Sequence, residues 1–384
     1  MLLLIDTAGS YGRGIVEGIG RYALEYGPWS IQFEYRALDS QPPEWLSQWT
    51  GDWIIARTSN AAQAKLLSAT KQPLVELFND PQVRPDLAVE SNMAIEHFLN
   101  CGLRHFGYFS YGEVRWIKTH REAYAKALEE RSYLCQSFEA PVSKRIMPIW
   151  RDDQRSDVLR WVRSLPRHIG IYTPGDLHAV RVLDACHEAK IPVPDEIAIL
   201  GRGNDPVVCE TVRPTLSSLD PDSRRIGYEA AQLLAQKMAG KAAIETIQIL
   251  PNRVAVRQST DFIVIEDADV AQAVQFIRQN ACLGIDVSHV VQEVGISRRA
   301  LELKFQQHMG RAPKAEIRRV RIEHAKTLLA RTEQTIKAIA HKSGFPSTKY
   351  FATVFFREVG SMPSVYRKTQ RLCRDPGKIG NSHW

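Results

Sequence analysis

Long apolar runs are missing from this chain. No stretch approaches the roughly 18 apolar residues that a bilayer-spanning helix requires, which excludes a helical membrane protein. Cysteine is scarce and scattered: the six, at positions 101, 135, 186, 209, 282 and 373, contain no Cys-x-x-Cys pair. That spacing argues against a disulfide framework or a zinc site and suits a reducing, cytoplasmic setting. The 11 histidines are equally dispersed, and His120, His168, His178 and His187 lack any metal-ligand spacing. Also absent are His-Glu-x-x-His, Gly-x-Ser-x-Gly and a Walker-type loop, so no enzyme active site is expected, and no cofactor or metal. The opening residues, 1–6, have no basic leader and only four apolar residues after the methionine before an acid. They read as a first buried strand rather than a signal peptide.

What is present is an ordinary globular composition, 44% hydrophobic and 24% charged over 384 residues, enough for two or three compact units. The net charge of +7 is unevenly spread: from Asp267 onward there are 20 Lys and Arg against 10 Asp and Glu, leaving 30 against 33 before it. A near-neutral front part joined to a basic end suggests a ligand or assembly region followed by a polyanion-binding region. The boundary is placed between a domain at 1–262 and a second at 263–384.

The front part alternates short β-rich runs (2–6, 31–36, 52–56, 74–78, 105–110, 169–173, 197–200) with helical patterns (13–26, 92–99, 119–130, 153–165, 177–189). This predicts an α/β domain with parallel sheets, arranged as two lobes around a cleft. In such sheets the ligand site lies beyond the carboxyl ends of the strands. The stretches there hold carboxylates, arginines and aromatic rings, the mixture that a neutral sugar requires. Candidate contacts are Tyr11, Arg13, Trp116, Arg121, Asp176, Asn204 and Asp205. Each has a plainer reading. Asp176 suits a helix cap, Arg13 a bridge to a nearby carboxylate, and Arg121 a solvated helix position. Tyr11 and Trp116 suit a cleft-edge core, and Asn204 with Asp205 suit a turn before Pro206.

Gly12, Gly14, Gly18 and Gly20 follow the first strand and superficially match a dinucleotide fingerprint, with Glu34 as the distant acid. The first of them lies too far from the strand and the third is one position late, which leaves a nicotinamide oxidoreductase as a weak alternative.

The basic end carries an internal repeat. A helix over 270–279 precedes a short helix at 287–293, a turn at Gly295, and a helix from Arg298 to Phe305 that Ser297 can cap. About 50 residues later come a short helix at 335–341, a turn at Gly344, and a helix over 348–357 capped by Ser347. Phe305, Gly310 and Pro313 share their spacing with Phe355, Gly360 and Pro363. Two helix-turn-helix units are therefore expected in an all-α domain, joined by a helix over 317–330 that sets their separation so that both enter successive major grooves of double-stranded DNA. Base contacts are expected from Arg298, Arg299 and Glu302 in the first unit and Ser347, Thr348, Lys349 and Thr353 in the second. Arg318, Arg319, Lys342, Arg357, Arg367 and Lys368 suit phosphate contacts, with a merely solvated charge the plainer reading of each.

Residues 267–367 resemble the DNA-binding domain of the arabinose-regulator family, on Gly344-Phe345, Tyr350-Phe351, Phe355 to Arg357, Gly360, Pro363, Tyr366-Arg367 and Leu328-Leu329. Residues 1 to about 262 resemble the two-lobed, periplasmic-binding-protein-like sugar domain of lactose-repressor-type regulators. The order is reversed from the usual one. That order, with Arg115-Trp116, the stretch 11–18, the run 191–194 and the run 257–261, is similar to the xylose-operon regulators. The resemblance implies a homodimer that binds D-xylose and DNA and activates transcription, with RNA polymerase as a further partner; it also supports Arg121 and Asp176 as sugar contacts. One stretch departs from the family's Gly-x-Asp: here Gly201-Arg202-Gly203 stands, so either Asn204 and Asp205 take over or the effector is a different sugar. Two other readings are a response to a sugar phosphate, through Arg13, Arg115, Lys118 and Arg121, and a DNA-binding architectural protein whose front domain only dimerises. The helix surfaces at 93–99 and 226–238 are candidates for the dimer interface.

Overall fold

The computed structural model describes residues 1–33, 44–57, 65–67, 72–77, 82–111, 115–140, 152–240, 246–262, 267–332 and 334–374. The chain divides into two compact units, Met1–Ile263 and Val264–Trp384. Among the described residues no helix is long and apolar enough to cross a membrane.

In the first unit the strands are β1 (Leu2–Leu4), β2 (Gln32–Phe33), β3 (Ile54–Ala56), β4 (Leu74–Glu76), β5 (Val83–Pro85), β6 (His105–Tyr111), β7 (Cys135–Ala140), β8 (Ile169–Tyr172), β9 (Ile197–Arg202), β10 (Ser217–Asp220), β11 (Ile247–Ile249) and β12 (Arg253–Ala255). The helices are α1 (Ser10–Tyr26), α2 (Leu87–Asn100), α3 (Arg115–Glu129), α4 (Asp152–Ser164), α5 (Asp176–Ala189), α6 (Pro206–Thr211) and α7 (Ser223–Met238). Two open sheets form: a parallel one ordered β2-β1-β3-β4, and a larger one ordered β12-β10-β9-β8-β6-β7, parallel but for β12. β5 and β11 pair separately.

The first strand is apolar without alternation because both its faces are covered. Leu3 and Ile5 pack with Ile15 and Ile19 of α1 and with Ile226 and Leu234 of α7, while Leu2 and Leu4 pack with Leu46 and Leu67 on the other face. In the larger sheet Ile169, Ile171, Ile197 and Ile199 pack against Val182 and Cys186 of α5 and Val158 and Val162 of α4.

A Cβ on Gly18 would collide with the backbone of Arg224, and one on Gly227 with that of Ile15. These glycines let α1 and α7 approach backbone to backbone, a packing role and not a phosphate loop. The expected interface surfaces are also reassigned. The apolar residues of 93–99 and 226–238, such as Ile95, Phe98, Ile226, Leu233 and Leu234, are buried in the unit's own core.

The second unit contains α8 (Ala268–Asn280), α9 (Val287–Val294), α10 (Arg298–Met309), α11 (Pro313–Arg331), α12 (Ile336–Lys342), α13 (Thr348–Val359) and α14 (Pro363–Arg374). Its repeat has a physical basis. Phe305 and Phe355 are both fully buried, Gly310 and Gly360 end their helices with φ of +62° and +77°, and Pro313 and Pro363 open the next helices. Left-handed backbone favours glycine at the helix end, and the first helical position tolerates a proline without its N–H. Ile322, Ala325 and Leu329 of α11 are buried with Ile339, Phe345, Phe351 and Phe355.

Candidate functional site

The carboxyl ends of the strands converge on a cavity of about 1030 Å³ whose lining includes Tyr11, Arg13, Trp116, Asp176 and Asp205. Five of the seven expected sugar contacts thus share one space. Asn204 does not line it. Its φ is +50°, its side-chain oxygen accepts from Arg257 Nη2 (2.8 Å), and its backbone N–H donates to Ser218 Oγ (2.9 Å). Arg121 does not line it either, because its guanidinium pairs with Glu139 at the end of α3's neighbouring strand β7.

Asp176 stands in the first turn of α5, with Gly175 in the cap position. The cap reading is set aside: its Oδ1 accepts from Ser218 Oγ (2.5 Å) and its Oδ2 from the backbone N–H of Asp205 (2.7 Å). Burial pushes its carboxyl up to about 6, against the pull of those hydrogen bonds. Asp205 caps α6 through Val207 N–H (2.9 Å), and its other oxygen meets Arg13 Nη2 at 3.0 Å. Arg13 comes from α1 and Asp205 follows β9, so this ion pair joins the two sheets' ends across the cavity.

Below Tyr11 lies a charge cluster. Arg202, at the end of β9, donates through Nε and Nη2 to Glu90 at 2.7 and 3.0 Å, and both side chains are buried. Burial lowers Arg202's proton affinity, but the Glu90 pairing outweighs it and the net direction is upward. The guanidinium carbons of Arg57 and Arg202 lie 5.1 and 5.3 Å from the centre of the Tyr11 ring. Burial raises the Tyr11 phenol even so. Arg57 faces Asp6 at 3.7 Å. His120 lies 3.8 Å from Glu90 and 2.9 Å from the Tyr108 hydroxyl; burial and the neighbouring Arg202 hold it well below the usual range, hence neutral. His178, which stacks on Tyr111 with centroids 4.0 Å apart, is held by burial at about 4.

Sequence reading missed Glu90, Arg57 and Arg84. Glu90 had a signal: it occupies the apolar stripe of α2 with Ala94 and Phe98, four and eight residues on, where an acid has to find a buried partner. That partner, Arg202, is 112 residues away.

In the second unit Ser297 Oγ accepts from Ala300 N–H and Ser347 Oγ from Tyr350 N–H, both at 3.2 Å, so each recognition helix has its cap. Arg298 pairs with Glu302 at 3.0 Å on an exposed face. Arg299, Lys349 and Thr353 are exposed, Thr348 half-buried. Lys342, Arg357 and Lys368 are exposed too. Arg318, Arg319 and Arg367 are half-buried and already have partners within the unit. Arg318 meets Glu358 at 2.7 Å, Arg319 forks onto buried Glu316, and Arg367 Nη2 donates to the Gln334 carbonyl at 2.7 Å.

Residues 95–260 match the family described as periplasmic binding protein-like domain, and residues 290–369 match a helix-turn-helix domain. Across almost the whole chain there is likeness to the xylose operon regulatory protein of Haemophilus influenzae, 31% identical over 95% of this chain and 97% of that one. The protein of the same description from Escherichia coli is 29% identical, over 95% and 96%. A solved structure of a xylose-binding transcription activator superposes with a TM-score of 0.74 at 28% identity, covering 96% and 97%. The chain belongs to the xylose operon regulatory protein family. As a member of that family it is a sugar-responsive, DNA-binding transcription regulator and not an enzyme. Its architecture is that of the family: an α/β periplasmic-binding-like domain, then an all-helical domain with paired helix-turn-helix units.

Proposed function

We propose that the chain is a homodimeric activator whose effector is D-xylose. The observation that carries this is collinearity: cleft domain and helix-turn-helix domain align in one order with relatives named for the xylose operon. In the cleft, Asp176 and Asp205 each keep a second lone pair on oxygens already fixed by protein donors, ready for sugar hydroxyls. Arg13 supplies donors, and Trp116 and Tyr11 offer apolar rings to the pyranose. Bound sugar favours one orientation of the two sheets and so the dimer form that binds DNA. Arg298, Arg299, Glu302, Ser347, Thr348, Lys349 and Thr353 meet base edges; Lys342, Arg357 and Lys368 meet phosphates. Activation brings RNA polymerase as a partner of the bound dimer.

A sugar phosphate is the second reading, favoured by Arg84 and Arg115 in the cavity wall. One experiment separates the readings: titration of a DNA duplex with the protein, alone and with D-xylose, other pentoses, hexoses and xylulose 5-phosphate, alongside calorimetry. Xylose should bind saturably and change DNA affinity. Saturation only by the phosphate moves the effector class, and a folded dimer that binds no sugar and prefers no DNA sequence ends the proposal.

A further inference from the structure

Asn204, drawn away from the cleft, begins a polar chain that ends where the first unit ends. Asp205 N–H and Ser218 Oγ both donate to Asp176. Asn204 N–H donates to the same Ser218 oxygen, and Asn204 Oδ1 accepts from Arg257 Nη2 at 2.8 Å. Arg257 is then fastened at its backbone: its N–H donates to Ser217 Oγ (2.7 Å), and Ser217 Oγ returns its proton to the Arg257 carbonyl (2.8 Å). Thr260 Oγ1 donates to Ser217 Oγ (2.8 Å). The hydroxyl proton being spent there, Thr260 accepts from His97 Nε2 (2.7 Å), and burial holds His97 neutral at about 4. Ser259 Oγ accepts from Ser217 N–H and donates to the Ile199 carbonyl, and Ser259 N–H donates to the Thr215 carbonyl.

The segment 257–260 is therefore stapled to β9 and β10, the two strands that carry the cleft turn at one end. That turn is poised: Gly203 and Asn204 both have positive φ, +118° and +50°, and Asp205 beyond them holds Arg13 of α1, which covers the opposite sheet. Residues 261–266 separate this segment in sequence from Asp267, which caps α8 of the second unit through Val270 N–H.

We propose that Asn204 and Arg257 are positioning residues that transmit effector binding to the DNA-binding unit: the Asn204 Oδ1···Arg257 bond couples the Gly203–Asp205 turn to the exit segment. This rests on the sugar-responsive reading and adds the route by which the response leaves the cleft. Coupling is a free energy shared between two sites, so it can be removed without removing either binding event.

The test measures the ratio of DNA dissociation constants without and with D-xylose, using the duplex that the wild-type protein selects from a random pool. Xylose affinity is read by calorimetry on the same samples. Asn204→Gly deletes the acceptor while accepting the left-handed backbone, and Asn204→Asp keeps the acceptor. If the wild-type ratio lies in the range of about 5 to 150 that such couplings span, Asn204→Gly should bring it to within about twofold of unity, at unchanged xylose affinity. Asn204→Asp should keep the wild-type ratio. Arg257→Lys, which cannot reach both Asn204 and the Leu216 carbonyl as the guanidinium does, should repeat the loss and decides the matter if Asn204→Gly fails to fold. An undiminished ratio in Asn204→Gly or Arg257→Lys overturns the relay, as does a xylose affinity that falls with the ratio. A wild type whose DNA affinity ignores every sugar overturns the regulator reading and the relay together.

Discussion

A buried carboxylate with a buried guanidinium on it is stable only while both are there. Glu90 and Arg202 are such a pair, 0% and 7% exposed, and His120 and Tyr11 close it off from above. Glu90→Ala leaves the guanidinium without its counter-charge and should cost about 3–5 kcal/mol of unfolding free energy in urea. The double variant Glu90→Ala, Arg202→Met should recover most of that. If the two single losses simply add, the pair is not coupled in this way. The buried histidines set a pH dependence. His97 and His178 are held at about 4, while in the unfolded chain they titrate near 6.5. Unfolding therefore takes up a proton at each between those values. Their contribution to stability is complete above about pH 6.5 and is lost as pH falls towards 4. Asp176, raised to about 6, has the opposite sign: its contribution is present below about pH 4 and is lost as pH rises through 6. His97, His178 and the buried His120, held low as well, outweigh one aspartate, so the first unit should lose stability from pH 7 to 5. Replacing His97 by Gln should reduce proton uptake on unfolding by about one; an unchanged slope of urea stability against pH would show that His97 is not the titrating group.

At the scale of elements, the close crossing of α1 on α7 depends on residues with no side chain. Gly18→Ala drives a methyl into the backbone of Arg224 and Tyr228, and should destabilise by about 1–3 kcal/mol. Gly20 of the same helix is exposed and has nothing within 4 Å of an added Cβ. There alanine should stabilise by about 1 kcal/mol through helix propensity alone. Thermal unfolding of the two variants is the check, and the same sign for both would mean that the helices are not that close. In the second unit the recognition helix α13 and its flanking helices α12 and α14 are expected to make different kinds of DNA contact. Lys342→Ala or Lys368→Ala should weaken binding to all sequences alike and reduce the slope of log affinity against log salt by about 0.9 each. Lys349→Ala should instead erode preference among sequences. A uniform loss across a panel of duplexes would move Lys349 to the phosphate group.

For the whole molecule, response requires both units and a differential interaction with sugar between two forms of the protein. Asp176→Ala should blunt the effect of xylose on DNA affinity at least tenfold, while DNA affinity without sugar stays within about twofold, because the residue touches only the cleft of the first unit. Equal response in the variant would remove Asp176 from the effector site.

The repeat of phenylalanine, glycine and proline, the serine caps and the basic end were legible because they are local. A left-handed helix end selects glycine, a cap selects serine, and a helix start accepts proline, each within a few residues of chain. The alternating α/β pattern of the first unit was legible for the same reason, since strand and helix differ in the period of their apolar residues. Short elements such as β5, β10 and α6 were missed, being too brief for a period to register. Tertiary structure decided what depends on partners far apart in sequence. It gave Arg202 its Glu90, 112 residues away, and turned Arg121 onto Glu139, Arg318 onto Glu358 and Asn204 onto Arg257. A charged side chain's type announces that it needs a partner, but only the folded backbone determines which group comes within 3 Å of it.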